Sequence, residues 1–407
     1  MERVLLVEPS FYGVDFVRSA KNMGCEVICI VSDNNNPQKY GYENLYDDLI
    51  VADIRNDKSI LQAIKDSKYN DFDAIIPATD YVTEITAKVA TKLGKFGNSI
   101  FSAHCARNKD AARIEYQKKG VPSTKFEVVN SIESAITASN KIGFPLILKP
   151  TNTASSIDVF YIDNIDTLKQ RFNEISQLKI SYMGFKVNKS YIMEEFLDGP
   201  EFSVELFLNK DNIAFAEVTE KHTTVPPYFV ELMHVFPTTI AVNNKKDIIK
   251  TAYNAVQAIG IHNGPTHVEV KLTSEGPKIV EVNGRPGGDH ITSDLIKNSY
   301  GINIYSKTID LYLNHNVEIK PLFYKSSLIK FLFSNKDGIL KQITGLDYLK
   351  KLPELSTLKF TSKLGSRVKK PTNSDDRIGY YILVGNNGLT LKNIAKHCDE
   401  RISIITE

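Results

Sequence analysis

Residues 278–291 read KIVEVNGRPGGDHI, and the fold turns on how this stretch is paired. Val280 and Val282 give a strand one apolar face, while Glu281 and Asn283 stand on the other, just before Arg285, Gly287 and Gly288. The strand before it is THVEVKL, residues 266–272, and the TSEGP between them is a polar turn with Gly276 and Pro277. A hairpin symmetric about Glu275 sets Glu269 directly opposite Glu281, with Cβ atoms about 5 Å apart. Two ionised carboxylates at that separation repel by about 3 kcal/mol at an effective dielectric of about 20. A divalent cation between them removes the penalty, and Asn283, two residues on, adds a neutral oxygen on the same face. Glu269, Glu281 and Asn283 form a hard-oxygen set that suits magnesium, which shares its remaining positions with water and phosphates, better than zinc. Arg285 is placed to meet a phosphoryl group or a developing oxyanion, and Gly287 and Gly288 admit close backbone approach. The plainer alternative is an exposed sheet on which both acids meet solvent and Arg285 pairs with one of them.

Outward from the hairpin, the chain reads as several packed domains. Its 407 residues exceed one ordinary core, and 42% hydrophobic with 24% charged residues is the composition of a globular protein. Fifty basic against forty-eight acidic residues give no global attraction to nucleic acid or to an acidic membrane. No apolar run approaches the roughly eighteen residues of a membrane span, and the first residues lack a signal-peptide pattern, so a cytoplasmic location is expected. Cys25, Cys29, Cys105 and Cys398 are scattered without paired spacing and read as ordinary buried thiols.

Residues 1–105 alternate strand and helix, as in RVLLVE, EVICIVSD and DAIIPATD with helices between, which predicts an α/β unit with a small parallel sheet. The turn after its first strand, EPSFYGVD, has a single glycine, so a GxGxxG dinucleotide site is excluded. Strands dominate after residue 190, and the last ninety or so residues hold the strand-like LIKFLF and GYYILVG. There is no internal repeat and no low-complexity linker.

With these residues in hand, the sequence resembles the ATP-grasp superfamily, and within it the carboxylate–amine ligases of the bacterial L-amino-acid ligase type. The resemblance implies a pre-ATP-grasp domain over 1–105, an ATP-grasp domain over 106–313 with a nucleotide lid at about 120–190 and the metal part at 191–313, and a C-terminal subdomain over 314–407 packed on the active site. It implies ATP and two magnesium ions, with manganese as a substitute. Glu269, Glu281 and Asn283 become the metal ligands, and Arg285 the phosphoryl and carboxylate contact. Lys109 and Lys149 are similar to the lysines that hold nucleotide phosphates. YIMEEFLDGPEFSVEL resembles the adenine hinge, with Glu194, Glu195, Phe196 and Leu197 around the base and Glu201 at the ribose. For each lysine alone, a solvated surface charge is the plain alternative. The loop after Lys149, PTNTASSIDV, lacks the family's glycines but offers Ser155 and Ser156 to the phosphates.

The resemblance also implies where substrates sit. Glu231 and His234 take the acceptor-site places; His222, His262, His267 and His290 rank lower. Residue 289 lines the first-substrate pocket, and here it is Asp289. With Asp375 and Asp376 ahead of GYYILVG, an acidic pocket would favour an arginine or lysine donor, unless that pair simply begins a strand from a polar turn. The implied reaction joins two amino acids into a dipeptide through an acyl phosphate, with Arg285 and the amides beside Gly287 and Gly288 on the oxyanion and Glu84 or His234 handling the amine proton. A ligase or carboxylase of another ATP-grasp branch, acting on a purine precursor or another carboxylate, shares every nucleotide residue, and a non-catalytic nucleotide-binding module remains open. The expected partners are small amino acids, with no nucleic acid and no membrane, in a chain free to form a homodimer.

Overall fold

The computed structural model describes residues 1–154 and 157–407. Strands β1 (Arg3–Val7), β2 (Glu26–Val31), β3 (Asp48–Val51) and β4 (Ala74–Pro77) make a parallel sheet of order β3-β2-β1-β4. Its strands are apolar on both sides because both faces are covered: Val4, Leu6 and Val27 pack on one, Leu5, Val7 and Ile28 on the other. The first face is completed by Tyr305, Ile309, Tyr312 and Leu313, from and just past the helix Ile304–Tyr312. The unit expected over 1–105 therefore draws a covering helix from far downstream.

Strands β5 (Phe126–Val129), β6 (Leu146–Pro150), β7 (Phe160–Ile162) and β8 (Tyr191–Glu195) form a separate antiparallel sheet, β5-β8-β6-β7, backed by the helices Ile132–Ile142 and Ile165–Ser176. The remaining strands are β9 (Glu201–Asn209), β10 (Asn212–Thr223), β11 (Glu231–Phe236), β12 (Gly264–Thr273), β13 (Gly276–Asn283), β14 (Ser326–Leu332), β15 (Gly338–Thr344), β16 (Leu355–Phe360), β17 (Arg367–Val368), β18 (Gly379–Gly385) and β19 (Ser403–Thr406). Eight of them are one sheet, β13-β12-β9-β10-β11-β14-β18-β16, and β17-β15-β19 make a small one. The ladder from β11 to β14, with Met233 opposite Lys330, carries the large sheet across the expected boundary at residue 314.

Alternation along β9, β10, β12 and β13 decides what each face does. Phe202, Val204, Val218, Val268, Val270 and Val282 point into a core shared with the helix Val242–Ala258. The residues between them are polar and face the other way. Cys25, Cys29, Cys105 and Cys398 are all buried and free. Among the described residues no helix is long and apolar enough to cross a membrane.

Candidate active site

The polar face is laid out in rows by strand register. One row runs Lys221–Glu201–Lys271, the next Thr219–Ser203–Glu269–Glu281, and the third Glu217–Glu205–His267–Asn283. Glu269 and Glu281 are thus opposite each other, with Asn283 on their face. The turn differs from the expected one: Thr273 pairs with Gly276, leaving a two-residue turn, and a bulge at Val280 restores the symmetric register at the glutamates. That bulge has a use, because Arg113 donates to the Val280 carbonyl at 2.7 Å.

The sequence reading placed a cation between the two glutamates; in the structure two lysines also lie against them. Lys221 Nζ lies 2.7 Å from Glu269 and 2.9 Å from Glu201, while Lys109 Nζ lies 3.1 Å from Glu281. Burial opposes the charge on Lys221, but Glu201 and Glu269 hold it protonated well above the ordinary lysine range. Burial likewise opposes the charge on Glu269, and Lys221 and His267 pull it well below the ordinary carboxylate range. His267, ranked low from sequence, is buried beside Glu205 at 2.7 Å. Burial opposes its protonation, and the Glu205 carboxylate overcomes that, raising it to about 9. Among the described residues no group of three or more His, Cys, Asp or Glu side chains is arranged to hold a metal. A cation here would rest on Glu269, Glu281 and the Asn283 oxygen, an all-oxygen donor set that fits magnesium.

These residues floor a cleft whose walls carry most of the expected nucleotide contacts. Lys109, Lys149, Glu194, Glu195, Phe196, Leu197 and Glu201 all line it with Glu269 and Glu281. Lys149 is buried rather than solvated, and its Nζ sits 2.6 Å from Glu194. Glu194 takes Arg113 Nε at 2.8 Å on its other oxygen. Burial opposes the Glu194 charge, but Arg113 and Lys149 hold its pKa down to about 2. Its carboxylate is committed to two cations of the chain, a load that the expected adenine contact did not include. Phe196 packs edge-on against Tyr161, ring centres 5.2 Å apart, and stacks near Phe229, which makes one cleft wall apolar. Lys109 and Arg113 come from the same face of the helix Lys109–Lys119, four residues apart, a spacing visible in the sequence. Ser155 and Ser156 lie outside the described residues.

Arg285 stands where the strand ends. Its Nε is 3.3 Å from the buried Asp80, its Nη1 donates to the Pro286 carbonyl, and its guanidinium lies over Tyr12. Tyr12 belongs to the wall of a second cavity of about 880 Å³, between the parallel sheet, the loop after Arg285 and the C-terminal segment. Gly287 lines it, and a Cβ there would meet Glu205 at 2.6 Å and His267 at 2.8 Å, so this position has no room for a side chain. Gly288 has open space around it.

Four other expectations change. Asp289 is not free to take a cationic substrate, because Arg377 grips it with Nη1 and Nη2, each at 2.7 Å. Burial opposes its charge; Arg377 and His234 hold it well below the ordinary carboxylate range. His234 is fully buried, and burial lowers its pKa, so the neutral ring bonds Asp289 through Nε2–H at 3.3 Å and lines neither cavity. Asp376 faces its own turn, accepting from the Thr372 and Asn373 amides, whereas Asp375 reaches the second cavity. Glu84 is bound to Lys88 at 2.6 Å and His104 at 3.1 Å and is not brought to either cavity. Glu231 does line the nucleotide cleft and accepts from Ser374 at 2.6 Å.

Comparison with known proteins gives relatives of both the central and the C-terminal parts of the chain. Residues 142–294 match the ATP-grasp domain family, and residues 330–407 match L-amino acid ligase C-terminal domain 2. Alanine–anticapsin ligase of Bacillus subtilis is 29% identical over 61% of this chain and 56% of its own length. The L-arginine-specific L-amino acid ligase of Bacillus subtilis is 23% identical over 85% of this chain and 84% of its own. The chain spans between 53% and 60% of the length of four curated relatives that it matches. Among solved structures, an L-amino acid ligase from Bacillus licheniformis superposes with a TM-score of 0.83 at 20% identity, over 100% of this chain and 99% of that one. A carboxyaminoimidazole ribonucleotide synthase from Aspergillus clavatus, solved with ATP, gives 0.75 at 15% identity, over 98% of each chain. The chain thus carries an ATP-grasp domain over residues 142–294 and, behind it, an L-amino acid ligase C-terminal domain over residues 330–407.

Proposed function

We propose that the protein is an ATP-dependent carbon–nitrogen ligase that joins two amino acids into a dipeptide, releasing ADP and phosphate. The observation that carries this reading is the adjacency of two sites. Glu269 and Glu281 floor a cleft walled by Lys109 and Lys149, Ser374 lines both that cleft and the second cavity, and the Arg285 guanidinium lies over Tyr12 on the second cavity's wall. A donor carboxylate in the second cavity would attack the γ-phosphorus of ATP from that side, and ADP would leave. The amine of the second amino acid, once deprotonated, then attacks the carbonyl carbon of the acyl phosphate, and phosphate departs.

Lys109 and Lys149 hold phosphate charge, and the apolar wall at Phe196 takes the base. Glu269, Glu281 and Asn283 would hold magnesium, one ion or two, which supplies charge neutralisation on the phosphates. Arg285 positions the carboxylate and carries the charge that develops on its oxygen. Glu231, on the cleft wall, is the carboxylate placed to hold the incoming ammonium. The match over residues 330–407 favours amino acids over the purine-precursor substrates of other ATP-grasp enzymes. The test is a matrix of amino-acid pairs with ATP and magnesium, read by phosphate release and product mass. A product weighing the sum of two amino acids less one water supports the reading; phosphate release that needs a different class of carboxylate, or none at all, overturns it.

A further inference from the structure

We propose that Arg377 sits in the second cavity where a substrate's cation would otherwise sit, so that Arg377 bars arginine and lysine and leaves the cavity to amino acids with neutral or acidic side chains. The inference rests on the ligase reading for the word substrate, but its geometry is independent. Arg377 is held as a bound guanidinium would be. Both terminal nitrogens bond Asp289 at 2.7 Å, one also lies 3.4 Å from Glu231, and the plane rests 3.6 Å from the centre of the Phe331 ring. Bidentate carboxylate, second carboxylate and aromatic face are the three contacts that recognise a guanidinium.

The rest of the cavity offers a cation nothing in exchange. Asp15 is paired with Arg18 at 3.2 Å, and Asp294 is taken by His290 at 2.7 Å and Ser293 at 2.6 Å. Asp375 is the lining carboxylate without an ion pair among the described residues, and it lies exposed at the rim. Lys297 and Lys359 line the same cavity, likewise without a carboxylate partner among the described residues. Lys297 and Lys359 are exposed, as Asp375 is, so a basic side chain entering the cavity meets exposed charges of both signs and no unpaired interior acid among the described residues. The backbone is committed to this arrangement, since Asp289 and His290 both adopt left-handed conformations, with φ of 51° and 63°, to aim the carboxylate at Arg377.

The experiment uses the full-length protein, its Arg377→Ala and Arg377→Met variants, and each variant combined with Asp289→Ala. L-arginine, L-lysine and uncharged L-norleucine are titrated by calorimetry, and the same amino acids enter the turnover matrix. Emptying the site should raise arginine affinity by about 30-fold or more over the parent, the lower end of what a buried hydrogen-bonded charge pair contributes. Asp289→Ala should abolish that gain, and norleucine should gain nothing comparable. Methionine keeps the bulk of the arginine stem if the alanine variant does not fold. Parent protein that binds or ligates arginine or lysine as well as neutral amino acids overturns the inference, and so do folded variants that gain no arginine affinity. Should no amino-acid pair be ligated by any protein, the ligase reading fails, while Asp289-dependent arginine binding by the variants still upholds the role of Arg377.

Discussion

Glu281 and Glu194 are both buried-edge carboxylates with lysine partners, yet their replacement should have opposite consequences. On the proposed function, Glu281→Gln removes an anionic metal ligand at constant volume, and magnesium-dependent turnover should fall at least about 100-fold, measured as phosphate release. Its ion pair with Lys109 is shared with the Thr153 carbonyl, so thermal unfolding should register no more than about 1 kcal/mol. Glu194→Gln should damage the fold. The folded pKa of about 2 lies below the ordinary value of 4.5, so the Glu194 charge contributes stability that is fully present above pH 4.5 and lost as pH falls through 2. The linkage is on the order of 3 kcal/mol, and denaturant melts of parent and variant should converge as pH drops through that window; parallel curves would refute it. The glutamate pair was legible in the sequence because side-chain alternation puts both on the polar face, although their direct opposition also needs the bulge at Val280. Lys221, Arg113 and Arg377 were not, because a lone basic residue carries no local sign of the distant acid it will meet.

The hairpin β12–β13 and the loop after it show how far a single element can be trusted. Its strands follow from period-two patterning, whereas the bulge at Val280, which puts Ile279 in the core and Val280 on the cleft, is held by Arg113 from another element and has no local signature. Gly287 tests the loop. Alanine there puts a methyl within 2.6 Å of Glu205 and 2.8 Å of His267, so Gly287→Ala should destabilise the protein by about 1–3 kcal/mol. It should also cost activity more than Gly288→Ala, which meets nothing within 4 Å. Equal melting temperatures and equal rates for the two variants would refute the tight contact. The strap at residues 372–377 was half legible: its acids were read either as part of an acidic pocket or as a polar turn before a strand, and Asp376 is spent on its own turn, while Arg377, which fills the place beside Asp289, gave no local sign.

At the scale of the whole molecule, the parallel sheet and the large sheet were both foreseen as classes of structure, and their boundaries were not. The N-terminal unit lacks one covering helix within its own span, so a fragment of residues 1–105 exposes the face that Tyr305, Ile309 and Tyr312 cover. That fragment should show secondary structure without fixed tertiary packing, seen as weak near-ultraviolet dichroism and strong ANS binding; a sharp cooperative melt would refute it. The unbroken ladder from β11 through β14 to β18 has a consequence for motion. A segment welded into a sheet cannot swing without breaking a row of backbone hydrogen bonds, so Phe331 and Tyr380, which line the second cavity from β14 and β18, belong to a fixed wall. Among the described residues the β5–β8 sheet shares no such ladder with the large one, meeting it through an isolated bridge between Ser123 and Ile279 and through Arg113, which bonds both Glu194 and the Val280 carbonyl. On the proposed function, nucleotide enters and ADP escapes by displacement of that small sheet, whose amides should then exchange faster with deuterium, and gain more protection from ATP, than those of β14 and β18.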